Sequence, residues 1–134
     1  MDKEQLVDRA HFIELLNERF PSVYADITDL ESGLLHMEMG VLSQATRLAI
    51  EEERWKDVAE HYDFIAKVFS RANADVNNAV YVSYLENVLL GEESSKFSQA
   101  RRMLPDTLKC ALVELEKHFD MLAKQAEVNR ERRK

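Results

Sequence analysis

The sequence predicts an all-α protein of five to six antiparallel helices, arranged as a bundle or a short stack of helical hairpins. Three observations carry this expectation. Apolar residues recur at spacings of three and four through every long segment, which is the period of a helix with one buried face. The chain has only three glycines and two prolines, too few turn residues for a sandwich or barrel of many short strands. The breaks between periodic segments are short, and short connections place successive helices antiparallel.

The first helix carries Leu6, Ala10, Ile13, Leu16 and Phe20 and ends before Pro21, because a residue preceding proline is driven out of the α region. Residues 21–28 read as a connector or a short helical turn. Thr28-Asp29-Leu30-Glu31 fits a capping box and predicts a second helix from Thr28 to about Glu53, with Leu34, Met37, Val41, Ala45 and Leu48 as its core stripe. Gly33 and Gly40 fall inside it, and their cost predicts close approach of a neighbouring helix, a kink, or a ligand on bare backbone. Trp55, Val58, Tyr62, Ile65 and Phe69 then follow the 3–4 period without interruption, closing near Asn73.

Asp75 is read as the N-cap of a fourth helix, NNAVYVSYLENVLL, which is apolar nearly all round and so central. GEESS at residues 91–95 is a loop. A short helix follows with Phe97, Ala100 and Leu104, and Pro105-Asp106 opens the last one. Its stripe is Leu108, Leu112, Leu115, Phe119, Leu122 and Ala126. The expected organisation is one helical domain over residues 1–128 and a frayed basic tail, NRERRK, over 129–134.

Composition narrows function by exclusion. Cys110 is the only cysteine, so the chain can form neither an internal disulfide nor a thiolate zinc site of its own. The opening MDKEQLVDRAHF lacks the basic-then-apolar pattern of a secretory leader, and no run of 18 apolar residues occurs. A cytoplasmic location without membrane contact is expected. The net charge of −7 is concentrated: residues 26–63 carry ten acids and three bases, whereas residues 64–134 carry ten acids and twelve bases. An acidic middle repels phosphate, so nucleic acid is not an expected partner.

Catalytic and cofactor signatures are missing from the sequence. It holds no nucleophile elbow, glycine-rich phosphate loop or paired-histidine zinc motif, and only His11 has an acid three residues before it, as a carboxylate-bridged metal bundle would need. His61 lies four residues after Asp57 and His118 four after Glu114, spacings that read as surface ion pairs. Cys110, just off the last stripe, reads as a small core residue. The expectation is therefore no enzyme, no cofactor and no metal.

Two surfaces remain as candidates. Glu51, Glu52, Glu53, Asp57, Glu60 and Asp63 gather at the end of the second helix and on the outer face of the third, and Arg54 and Lys56 cannot neutralise them all. Acids at a helix C-terminus oppose its dipole, so Glu51, Glu52 and Glu53 do not serve helix stability, and such a patch steers a basic partner. Asn77, Asn78, Tyr81, Tyr84 and Asn87 interrupt the central helix with polar groups that would line a groove or bond to neighbouring helices.

The segment NNAVYVSYLENVLL with Leu104-Pro105, the upstream HMEMG at 36–40 and WKDVAEHYDF at 55–64 resemble a family of short bacterial helical proteins of unknown function, over roughly residues 30–125. That resemblance implies a fold and transfers no catalytic residue. In size, charge and fold class the chain also looks like the small acidic immunity proteins that neutralise secreted toxins. The expected function is a non-catalytic module binding a basic protein through residues 51–63, in its sharpest form an immunity-type inhibitor of a basic toxin such as a nuclease. The alternatives are a small-molecule- or metal-binding protein using His36, His61, Glu38 or the central tyrosines, and a homo-oligomeric regulatory protein.

Overall fold

The computed structural model describes residues 6–132, and among these the regular structure is entirely helical. Residues 1–5 and 133–134, which hold the start of the segment read for a leader and the last two residues of the basic tail, lie outside the described residues.

Helix α1 spans Arg9–Arg19 and is capped by Asp8, whose carboxylate accepts from the His11 N–H at 2.8 Å. A short α2, Pro21–Ala25, starts directly on the proline, with Phe20 between the two helices. Then come α3, Leu35–Glu51, and α4, Trp55–Ser70. Helix α5 covers residues 74–88; its middle, Val80–Leu85, is π-helical between α-helical ends Ala74–Ala79 and Glu86–Val88. Helices α6, Ser95–Arg102, and α7, Asp106–Arg132, complete the chain. The described residues thus form seven helices, the seventh being α2 in the segment read as a connector or a short helical turn.

The core is one apolar cluster drawn from every helix, including Phe12, Leu16, Leu42, Ile50, Tyr62, Ile65, Leu85, Leu108 and Leu112. Helix α3 packs against both α5 and α4. Before α1 the chain is pinned to the α4–α5 turn: the Val7 N–H donates to the Arg71 carbonyl at 2.6 Å, and the Asn73 N–H to the Val7 carbonyl at 2.9 Å. Asn73, not Asp75, caps α5, its side chain accepting from the Val76 N–H.

Three local expectations are corrected. The Thr28–Glu31 capping geometry forms, with Glu31 Oε1 accepting from both the N–H and the hydroxyl of Thr28 at 2.7 Å, but it closes an isolated turn. Gly33 then takes φ +89°, which no α-helix allows, and α3 begins only at Leu35. Secondly, the fully buried face of α3 is Glu38, Met39, Leu42, Ser43, Thr46, Ala49 and Ile50, and of the stripe read from sequence only Val41 and Ala45 pack partly against the core. Met37 and Leu48 are 48% and 52% exposed. Two hydroxyls made the true core face look polar; each is satisfied within its own helix, Ser43 donating to the Gly40 carbonyl and Thr46 to that of Leu42. Thirdly, Cys110 is exposed instead of packed in the core.

Helix α7 buries Leu108, Ala111, Leu112 and Leu115, and every residue from 117 to 132 is exposed. Residues 129–132 of the expected tail continue this helix.

Candidate functional site

The displaced stripe of α3 lines an open groove of about 910 Å³. Met37, Gly40, Val41, Ala45 and Leu48 form its floor, on one helical face. Phe20, Ser22 and Val23 bound it at the α1–α2 corner, and Asp57, Glu60 and His61 of α4 stand on the other wall. The charged lining is Asp26, Glu31, Asp57 and Glu60 against the single guanidinium of Arg54. An apolar floor with an acidic rim is thus built by three consecutive helices and the turn between α2 and α3. Gly40 adds to its openness, since nothing lies within 4 Å of where a Cβ would stand. Neither glycine is there for close approach of another helix, because the space beside Gly33 is equally open.

The acidic residues read from sequence divide between this rim and the solvent. Asp57 and Glu60 line the groove, Asp57 holding Arg54 in an ion pair that Arg54 shares with Glu52 at 2.8 Å. Asp63 lies outside, paired with Arg19 at 2.9 Å and Lys67 at 3.0 Å, and those two cations hold its carboxyl below its ordinary range. Glu51, Glu52 and Glu53 are exposed around the α3 C-terminus, and Glu53 takes φ +57° to turn the chain into α4. The sequence patch is therefore not one face. Three of its six acids, Glu52, Asp57 and Asp63, are ion-paired with bases, and the groove recruits Asp26 and Glu31 from segments that sequence proximity did not connect.

His61 is the correction that matters most. It is 7% exposed, not a surface ion-pair partner. Its Nδ1 lies 2.9 Å from Thr46 Oγ1, which also contacts Tyr84 Oη at 2.8 Å and the Leu42 carbonyl at 3.1 Å. One proton assignment makes all three contacts hydrogen bonds. The carbonyl can only accept, so the Thr46 hydroxyl donates to it, and its two lone pairs accept from Tyr84 O–H and His61 Nδ1–H. His61 is then the Nδ1–H tautomer, and Nε2 carries the lone pair. No hydrogen bond engages Nε2 among the described residues, and the ring forms part of the groove wall. Burial, the largest influence, lowers the His61 pKa; the charges of Asp57 and Glu60 act the other way and those of Arg54 and Arg19 with it. The groove therefore presents a neutral imidazole acceptor beside carboxylates.

The polar residues of the central helix do not line a groove together. Tyr84 is wholly buried in the Thr46 network, and its pKa is raised by burial. Tyr81 packs edge-on against Phe69 and donates to Glu114 at 3.3 Å, while Asn77 is half-buried and Asn78 exposed. Asn87 does border the groove, and its amide donates to the Ser83 carbonyl at 2.8 Å within the π-helical stretch. Ser83 in turn meets His36 Nδ1 at 2.6 Å, fixing the second histidine of the groove. Tyr62 Oη is buried with no hydrogen-bond partner among the described residues, and burial pushes its pKa up.

Glu38 is structural. Burial pushes its carboxyl up, but the Arg9 guanidinium at 2.7 and 2.8 Å and the Gly33 N–H at 3.0 Å outweigh that and leave its pKa lowered. Among the described residues no group of three or more His, Cys, Asp or Glu side chains is arranged to hold a metal ion. No helix among them is long and apolar enough to cross a membrane. The signal that could have located the groove was present in α3, which carries two apolar rows where an ordinary surface helix carries one.

No curated protein and no solved structure matches the chain. A family model described as a domain of unknown function (DUF7674) matches residues 13–120, which include the whole groove, and the chain belongs to that family.

Proposed function

We propose that this protein is a non-catalytic, cytoplasmic binding module, built on an antiparallel helical bundle, that takes a basic amphipathic helix of a protein partner into the α2–α3–α4 groove. The observation that carries the reading is the outward apolar row of α3, Met37, Val41, Ala45 and Leu48, lying on the floor of a groove rimmed by Asp26, Glu31, Asp57 and Glu60. A helix laid in such a groove buries its apolar face on the floor and meets the acids with its basic flanks. The floor from Met37 to Leu48 is about 17 Å long at 1.5 Å per residue, enough for three turns of a docked helix. The neutral Nε2 of His61 offers an acceptor to a lysine or arginine N–H. Carboxylates on the rim steer such a partner and fix its orientation, while the apolar floor supplies most of the affinity. An immunity-type inhibitor covering a basic toxin is the sharpest form of this reading.

Titration of a synthetic Lys/Leu amphipathic helix into the full chain tests it. Saturable binding is expected, weakened at least tenfold by Leu48→Asp and by Glu60→Lys, and weakened by added salt. Binding that ignores Leu48→Asp, or no binding, overturns the reading. A second reading rests on His61 alone: a buried neutral imidazole with a fixed tautomer and an open Nε2 also suits a small hydrogen-bond-donating ligand. In that case His61→Gln abolishes the response in a thermal-shift ligand screen and Leu48→Asp leaves it intact.

A further inference from the structure

The same chain carries a second unpartnered surface, of the kind the groove is shaped to receive. Helix α7 runs from Asp106 to Arg132, and its seam is Leu108, Leu112, Leu115, Phe119, Leu122 and Ala126, an unbroken alternation of four and three residues. Its first half is buried in the body of the protein and its second half is not. The seam continues without change of period from the core into solvent, where Leu122 is 50% exposed. A bare helix of 16 residues, about 24 Å long, is marginal in water unless its apolar face is covered.

Charge selects what covers it. The projecting residues 117–132 carry four bases and three acids, with Arg130 and Arg132 at the end, whereas the groove lining carries four acids and one base. Length agrees as well, since Phe119 to Arg130 rises about 17 Å, the length of the groove floor. We infer that the projecting half of α7 docks in the groove of a second copy of this chain, with Phe119, Leu122 and Ala126 on the α3 floor and the basic end against the acidic rim. Phe119 lies within the span matched by the family model, and Leu122 and Ala126 lie beyond it. The inference rests on the groove being a helix-binding site. It adds that the chain's own helix competes with any outside partner, so self-association regulates access to the groove.

Sedimentation velocity of the full chain over a range of concentrations tests it, using two paired variants. Phe119→Asp with Leu122→Asp removes the helix face, and Met37→Asp with Leu48→Asp removes the groove floor. All four positions are exposed, and unchanged far-UV circular dichroism confirms that each variant is folded. Concentration-dependent self-association is expected in the parent, reduced at least tenfold in either variant. Mixing the two variants should restore a complex, because each supplies what the other lacks. A parent that stays monomeric to millimolar concentration overturns the inference. So does self-association that survives the groove variant, which would mean that two α7 helices pair with each other, and so does a mixture that fails to associate. If the Lys/Leu probe still binds a strictly monomeric parent, the groove reading stands and only the self-docking falls; if neither occurs, both fall.

Discussion

At the level of single residues the groove depends on how one hydroxyl distributes three hydrogen bonds. Thr46 accepts from His61 and Tyr84 and donates to its own helix, so removing it strands two buried donors at once. Thr46→Val keeps the shape and loses the oxygen. It is expected to cost about 2–3 kcal/mol, because each buried group left unpaired costs roughly 1–3 kcal/mol. Thr46→Ser, which retains the oxygen, should cost less than half as much; urea unfolding of the two variants checks the ordering. His61 supplies a pH dependence whose sign follows from its lowered pKa. The unfolded chain takes up a proton near pH 6.5 while the folded chain resists it until lower pH. The stability due to neutral His61 is therefore fully present above pH 6.5 and is lost as pH falls through the folded-state value. Thermal unfolding between pH 7.5 and 5 should show Tm falling in the parent and a shallower fall in His61→Gln. Equal slopes would mean that His61 is not held neutral.

At the level of elements, α3 shows why periodicity alone misplaces a face. The helix offers two rows, one apolar apart from Gln44 and one interrupted by Glu38, Ser43 and Thr46, and hydrophobicity favours the first as core. The fold buries the second, because both hydroxyls find carbonyls one turn back and lose little by leaving water. The apolar row is then left for the groove. Gly40 on that row makes a prediction of two signs. It sits mid-helix with open space where a Cβ would be, so Gly40→Ala should stabilise the chain by about 1 kcal/mol. If a helix docks against the row, the same methyl should weaken that binding. Chemical denaturation and the peptide titration read the two effects separately, and a variant that is both more stable and equally good at binding would place the docked helix away from Gly40. The opposite arrangement is seen in α4, where Val58, Tyr62 and Ile65 are buried along the stripe the period marks.

For the molecule as a whole, the acidity of the middle third is divided by the fold into two kinds of charge. Asp63 is paired with Arg19 of α1 and with Lys67 of its own helix, and Glu52 with Arg54 two residues on. The groove rim draws its acids from two segments, Asp26 and Glu31 from before α3 and Asp57 and Glu60 from α4, with Asp57 ion-paired to Arg54. Steering by this rim acts over about a Debye length, ~8 Å at physiological salt, so it governs encounter more than residence.

What the sequence determined by itself is whatever depends on neighbours along the chain. The helical class, the α4 stripe and the break at Pro21 are local, since they follow from period, backbone propensity and steric exclusion within a few residues. The capping residues Thr28 and Glu31 were legible too, although the turn they close is not the start of α3. Only the tertiary structure decided which row of α3 is core, that His61 is buried with its Nδ1 on Thr46, that Cys110 faces out, and that four acids from two separate segments meet on one rim. Those facts turn on which atoms meet across dozens of residues. A helix's period shows that it has a face to hide and leaves open which neighbour hides it.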